Sequence, residues 1–160
     1  MIMKVLITGA SGQLGQAFQS IEKDYKDVAF TFTDSHDGDI TDRVKLEELF
    51  NKVQPDYCIN AAAYTAVDKA ETDLEIARLI NVDGPDNLAA ACKKHGATLV
   101  HISTDFVFDG SKKAPYTEED ATNPQSMYGL TKRDGELKIQ EQLAEYYIIR
   151  TSWVYSDFGN

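Results

Sequence analysis

The stretch Lys4-Val5-Leu6-Ile7-Thr8-Gly9-Ala10-Ser11-Gly12-Gln13-Leu14-Gly15 decides the fold. A short apolar run ends in a GxxGxxG turn, and the turn opens a helical pattern over 13–23. A pyrophosphate is best held where the backbone can approach closely and where unpaired N–H groups open a helix. Gly9, Ser11, Gly12, Gln13, Leu14 and Gly15 are therefore candidate phosphate contacts. Gly9 and Gly12 would serve the turn and the close approach, and Gly15 would let the helix pack on the strand. Glycine is also common in plain structural turns, so the position after a strand and before a helix carries the reading.

Working outward, the same alternation recurs. Val28–Thr33 (VAFTFT) is β-branched and aromatic, as strands are. Thr41 or Asp42 would cap a helix whose apolar stripe is Val44, Leu46, Leu49, Phe50 and Val53. Pro55 ends it, and Tyr57–Asn60 is a third strand. A long helical region over 72–95, interrupted near Gly84-Pro85, is closed by Gly96. Strands over 97–103 and 146–151 flank a polar loop and a helix running from Ser126 to about Glu145. Strands alternating with helices predict an α/β fold, a parallel sheet with helices on both faces.

Composition narrows the function. The 160 residues carry 26 acidic and 16 basic side chains, a formal charge of −10, and 42% apolar residues. That supports one domain with a real core. It argues against a nucleic-acid or anionic-membrane partner, which wants a basic face. Cys58 and Cys92 sit in apolar stretches without metal-ligand spacing, which suits buried thiols in a reducing compartment. No apolar run reaches the roughly 18 residues of a membrane span, and the amino terminus has no signal-type core, so a cytoplasmic location is expected. No ligand spacing supports a metal site; the acidic surface leaves Mg2+ as an exposed contact only.

Two further clusters carry chemistry. Asp34 lies about 20 residues beyond the glycine turn, where a ribose hydroxyl would be bound, and it would repel a 2′-phosphate. Asp39 and Ile40 could line the base. Tyr128 and Lys132 stand at i and i+4 on one helix face. A phenol is a poor acid at neutral pH, with a pKa of about 10, and a nearby cation would lower it. Ser103, Thr104 and Asp105 fall at the carboxyl end of a strand, where ligands bind in doubly wound sheets.

TGASGQLG, NAAAYTAVDKAE (60–71), LINVDG (79–84), STDFVFDG (103–110), YGLTK (128–132) and RTSWVY (150–155) occur in that order. The set resembles the extended short-chain dehydrogenase/reductases, and within them the branch that reduces dTDP-4-dehydro-L-rhamnose at its C4 ketone to give dTDP-L-rhamnose. The resemblance implies a Rossmann-like fold, NADPH or NADH as cofactor, and a sugar nucleotide as substrate. It makes Tyr128 the acid, Lys132 its partner on the nicotinamide ribose, and Thr104 the hydroxyl on the substrate carbonyl. It places Ala61, Ala62 and Ala63 under the cofactor and Asn81 behind the lysine. Thr65, Val67, Asp105 and Trp153 become sugar-nucleotide contacts.

The chain departs from the family where Phe106 replaces a usual tyrosine, which removes a hydroxyl near the substrate. Family members are about twice as long, so residues 1–160 are expected to be the cofactor-binding domain, with the substrate domain absent and turnover incomplete. A homodimer is left open. Two alternatives stand beside the reductase. One is a regulatory, non-catalytic relative like the regulatory subunit of methionine adenosyltransferase. The other is a sugar-nucleotide epimerase or dehydratase.

Overall fold

The structure, a computed structural model, describes residues 2–159. Five strands, β1 (Met3–Thr8), β2 (Val28–Thr33), β3 (Tyr57–Asn60), β4 (Thr98–Thr104) and β5 (Tyr146–Thr151), form one parallel sheet. Its order is β2-β1-β3-β4-β5. The chain moves one way from β1 to β2, then crosses back over β1 to β3 and continues outward. With right-handed crossovers, helices before and after that reversal lie on opposite faces. The reversal sits between β1 and β3, the topological switch point where such sheets bind ligands.

Among the described residues five α-helices connect the strands: α1 (Gln13–Ile21), α2 (Arg43–Val53), α3 (Leu74–Arg78), α4 (Gly84–His95) and α5 (Met127–Gln142). α2 packs on α4 and α4 on α5, so these three cover one face. Leu46, Phe50, Leu88, Cys92 and Ile139 from these helices meet Leu6, Cys58 and Leu99 of the sheet, forming the core. Cys58 and Cys92 are free and buried within it.

Local chemistry sets the ends. Asp42, not Thr41, caps α2 by accepting from the Val44 and Lys45 N–H groups. Ser126 caps α5 through the Gly129 N–H. Gly96 closes α4 at φ +72°, a left-handed position glycine takes at no steric cost.

Three expectations need correcting. The stripe of α2 is narrower, since Val44 lies in the exposed first turn. α1 stops at Ile21 and tightens into a 3-10 turn over Glu22–Asp24. The 72–95 region is not broken at Gly84-Pro85. α3 runs into α4 through a wide π-type turn over Leu79–Asp83. Pro85 has no N–H to give the Asn81 carbonyl four residues back. That carbonyl faces Gly135 instead, where a Cβ would lie 2.1 Å from it. The helix pair α4·α5 can thus approach closely just behind Lys132.

Among the described residues no helix is long and apolar enough to cross a membrane. Nor do three or more His, Cys, Asp or Glu group as a metal set.

Candidate active site

The glycine turn closes against the end of β3. Gly9 adopts φ +74°, and a Cβ there would lie 2.6 Å from the Ala62 nitrogen and 2.7 Å from the Ala61 carbonyl carbon. A Cβ on Gly15 would sit 2.4 Å from the Gly9 oxygen, so the first turn of α1 rests directly on the loop. Gly12 caps α1 with no side chain over the helix end, which leaves the opening N–H groups bare. Ser11 is exposed, while Gln13 and Leu14 begin the helix, half-buried.

These elements wall a cleft of about 260 Å³ at the switch point. Gly9, Ser11, Gly12, Asp34, Asp39, Ile40, Ala61, Ala62 and Ala63 all line it. That is under the roughly 300–1,000 Å³ of a pocket enclosing a whole drug-sized ligand, and suits one end of a dinucleotide. Asp34 accepts the His36 N–H at 2.9 Å, and Asp39 is engaged by the Thr41 N–H and hydroxyl at 2.9 and 2.8 Å. Ile40 is core as well as wall, filling space that Gly84 leaves open.

The second cluster joins the end of β4 to the start of α5. Thr104, buried, accepts the Phe106 N–H and donates to Asp105 at 3.1 Å. Its hydroxyl lies beside the Tyr128 phenol and favours the phenolate. Phe106 packs edge-on against the Tyr128 ring, centroids 5.6 Å apart. A Cβ on Gly129 would lie 2.2 Å from the Phe106 oxygen, so Gly129 permits that contact.

Lys132 is 2% exposed. Its Nζ donates to the Ile102 carbonyl at 2.7 Å and lies 3.3 Å from His101 Nε2. Burial pushes its pKa down to about 8, with Glu136 pulling the other way. The ammonium is turned to the Ile102 carbonyl, and the phenol does not show the lowering that its spacing to Lys132 suggested. Burial, above all, and the Asp105 charge raise Tyr128 above its ordinary value, against the Thr104 hydroxyl. Tyr128 is consequently a protonated phenol at neutral pH.

Asn81 lies behind both. Its amide accepts from the Tyr64 N–H at 2.9 Å and donates to the Tyr64 carbonyl and the Thr131 hydroxyl at 3.1 and 3.2 Å. It ties the segment after β3 to the helix that carries Lys132.

The sugar-contact candidates are not gathered here. Thr65 is exposed and Val67 half-buried on the segment after β3, outside the lining of the glycine cleft. Trp153 is 81% exposed at φ +51°. Asp105 lines a separate concavity of about 710 Å³ with Phe108, Tyr116, Ile148 and Arg150, along β5.

Two features escaped the sequence reading. One is the buried carboxylate Glu136, which takes the Ser103 hydroxyl at 2.5 Å and both Nε and Nη2 of Arg150 at 3.0 and 2.6 Å. The other is a buried row formed by Thr8, Asn60 and His101. The available signal was a polar side chain inside an otherwise apolar strand.

The fold and clusters define a Rossmann-type α/β protein with threonine, tyrosine and lysine at the carboxyl edge of its sheet. The chain belongs to the family described as the RmlD substrate binding domain, whose model matches residues 3–160. It is 41% identical over 160 residues to a dTDP-4-dehydrorhamnose reductase of Escherichia coli K12, covering 99% of this chain and 54% of that protein. A crystal structure of a Clostridium acetobutylicum dTDP-4-dehydrorhamnose reductase, 50% identical, superposes with a TM-score of 0.93 over 99% of this chain and 56% of that one. A Bacillus anthracis dTDP-4-dehydrorhamnose reductase in complex with NADP, 39% identical, gives 0.96 over 100% and 57%. The chain spans about half the length of the curated relatives it matches.

Proposed function

We propose that these residues are the cofactor-binding and catalytic half of an NAD(P)H-dependent reductase. Its substrate is the C4 ketone of dTDP-4-dehydro-L-rhamnose and its product is dTDP-L-rhamnose. The single observation that carries the reading is that the bare glycine cleft, at the ends of β1 and β3, and the Thr104–Tyr128–Lys132 cluster, at the end of β4 and the start of α5, lie on the same carboxyl edge of the sheet. The reductases to which the chain is similar, one of them in complex with NADP, point the same way.

The residues fit a dinucleotide. The Gly9–Ala62 approach and the uncapped start of α1 form a cradle that any Cβ would obstruct. Asp34 suits a free 2′-hydroxyl, Asp39 and Ile40 the base, Ala61–Ala63 the passage over the sheet, and Lys132 the nicotinamide ribose. When bound, the dihydronicotinamide supplies the hydride.

The chain's own groups handle the ketone oxygen. Thr104 donates to it as negative charge develops, the kind of interaction worth most in a dry site. Tyr128 gives it a proton. The raised phenol pKa suits the reductive direction, because the acid must still carry its proton when the alkoxide forms. The substrate's nucleotide and sugar require groups from the rest of the whole protein, with Asp105 and the β5 concavity at the junction. Trp153, Thr65 and Val67 would engage only there.

Cofactor deuterated at the transferring position tests the reaction directly. Deuterium should appear at C4 of the sugar product of the full-length protein. Consumption of the cofactor without deuterium at C4 would contradict the assignment.

A further inference from the structure

A rung of buried polar side chains crosses the sheet beside the active site. Thr8, Asn60 and His101 are register partners on β1, β3 and β4, and all three are fully buried. The Thr8 hydroxyl donates to Asn60 Oδ1 at 2.8 Å, and Asn60 Nδ2 lies 3.0 Å from His101 Nδ1. His101 Nε2 then lies 3.3 Å from Lys132 Nζ.

Hydroxyls turn, and amides and imidazoles can be placed two ways, so the directions must be fixed by a group with only one role. That group is the Ala62 backbone N–H, which reaches Asn60 Oδ1 at 3.1 Å. It holds the Asn60 oxygen toward the Ala61–Ala63 segment and leaves the amide NH2 facing the ring. His101 Nδ1 must accept there, so it carries no proton. A ring whose Nδ1 accepts cannot be an imidazolium, and its full burial keeps it neutral as well. Its single proton therefore sits on Nε2, facing the lysine. An ammonium offers three N–H groups and no lone pair, whereas an amine can accept.

We propose that His101 is a positioning residue: its Nε2–H, fixed in place by Asn60 and the Ala62 N–H, donates to the amine form of Lys132 and so favours that form over the ammonium. Lys132 keeps one N–H on the Ile102 carbonyl and one uncommitted. The lysine next to the acid is thereby a titrating group and not a fixed cation. The opposing influence is Glu136, one turn along α5, whose carboxylate is shared with Arg150 on β5. Tyr128, in the first turn of α5, and Asp105, just past β4, lie toward the carboxyl edge of the sheet, and Glu71 sits at the amino end of α5, where it accepts the Met127 N–H. The consequence for turnover rests on the reductase reading; the tautomer does not.

Nitrogen NMR of the full-length protein, with histidine labelled at both ring nitrogens, reads the tautomer without any substrate. The expected spectrum has the His101 proton on Nε2. A proton on Nδ1 overturns the proposal whether or not the protein reduces a sugar.

The second arm is Asn60→Asp. A carboxylate accepts from Ala62 and also from the ring, which moves the proton to Nδ1 and turns Nε2 into an acceptor for an ammonium. The limb of the kcat–pH profile that reports Lys132 should then rise by about one pH unit or more. If that variant does not fold, His101→Gln serves, since its amide can turn its oxygen to the lysine and should move the limb the same way. A folded variant with a switched tautomer and an unmoved limb overturns the positioning role.

Discussion

Replacing Gly9 with alanine tests the cradle, and the molecule supplies its own control. Gly9, Gly96 and Gly110 have almost the same backbone, at φ +74°, +72° and +72°. Alanine in that left-handed region costs roughly 1–2 kcal/mol at any of them. They differ in surroundings: a Cβ at Gly96 or Gly110 meets nothing within 4 Å, whereas at Gly9 it meets Ala61 and Ala62 backbone at 2.6–2.8 Å. Backbone cannot rotate away as a side chain can, so the end of β3 must move by a good fraction of an ångström. Displacements of that kind account for the severe tail of single substitutions, so Gly9→Ala should cost about 2 kcal/mol more than Gly96→Ala. Urea unfolding of the two variants and the parent gives that difference, read as a change in midpoint at constant slope. Ala61–Ala63 also wall the cleft, so NADPH and NADH affinity should fall at least about tenfold in Gly9→Ala, or about 1.4 kcal/mol. It should be unchanged in Gly96→Ala. Equal destabilisation of the two, with unaltered affinity, would refute the close approach as the reason for Gly9.

Other expectations follow from charge and burial. Asp34→Ala should improve NADPH binding relative to NADH by roughly tenfold, because it removes a like charge from the 2′-phosphate; paired titrations measure it. Arg150→Leu strands the buried Glu136 carboxylate and should cost about 3–5 kcal/mol in chemical denaturation, while Glu136→Leu with Arg150→Leu should recover most of it. His101 is held well below its ordinary value of 6.5, so between those pKa values the unfolded chain binds the extra proton and the folded chain does not. Stability should therefore fall as pH drops below about 6.5, by up to about 1.4 kcal/mol per pH unit, and His101→Gln should flatten that slope. Lys132, pushed from 10.5 to about 8, has the same sign: stability should rise with pH between those values, and Lys132→Met should abolish the rise.

Much of this was legible in the sequence because strand and turn chemistry is local. Tyr57–Asn60 and Tyr146–Thr151 stand where their apolar runs end, and Ser126 and Gly96 cap as their chemistry dictates. The π-type turn was not legible, because its cause is a missing N–H at Pro85 combined with a helix packed at Gly135, from a distant part of the chain. The spacing of Tyr128 and Lys132 predicted a lowered phenol, yet its pKa is raised. Helical spacing says which face two groups share, while burial and competing acceptors such as Ile102 decide where the ammonium points. His101 and Asn60 were passed over for a related reason: one polar residue per strand means little until the register lines them up. Trp153, singled out by the motif order, stands exposed just past the end of β5.

The central claim is that Tyr128 supplies the proton at a site built to hold NAD(P)H. Its most direct test is Tyr128→Phe in the full-length protein, assayed both for NAD(P)H binding by fluorescence and for cofactor oxidation with dTDP-4-dehydro-L-rhamnose. Binding should persist while kcat falls by about 10²–10⁴, the range for loss of a general acid. Turnover at the parent rate in that variant would remove Tyr128 from the chemistry, and with it the reductase site described here.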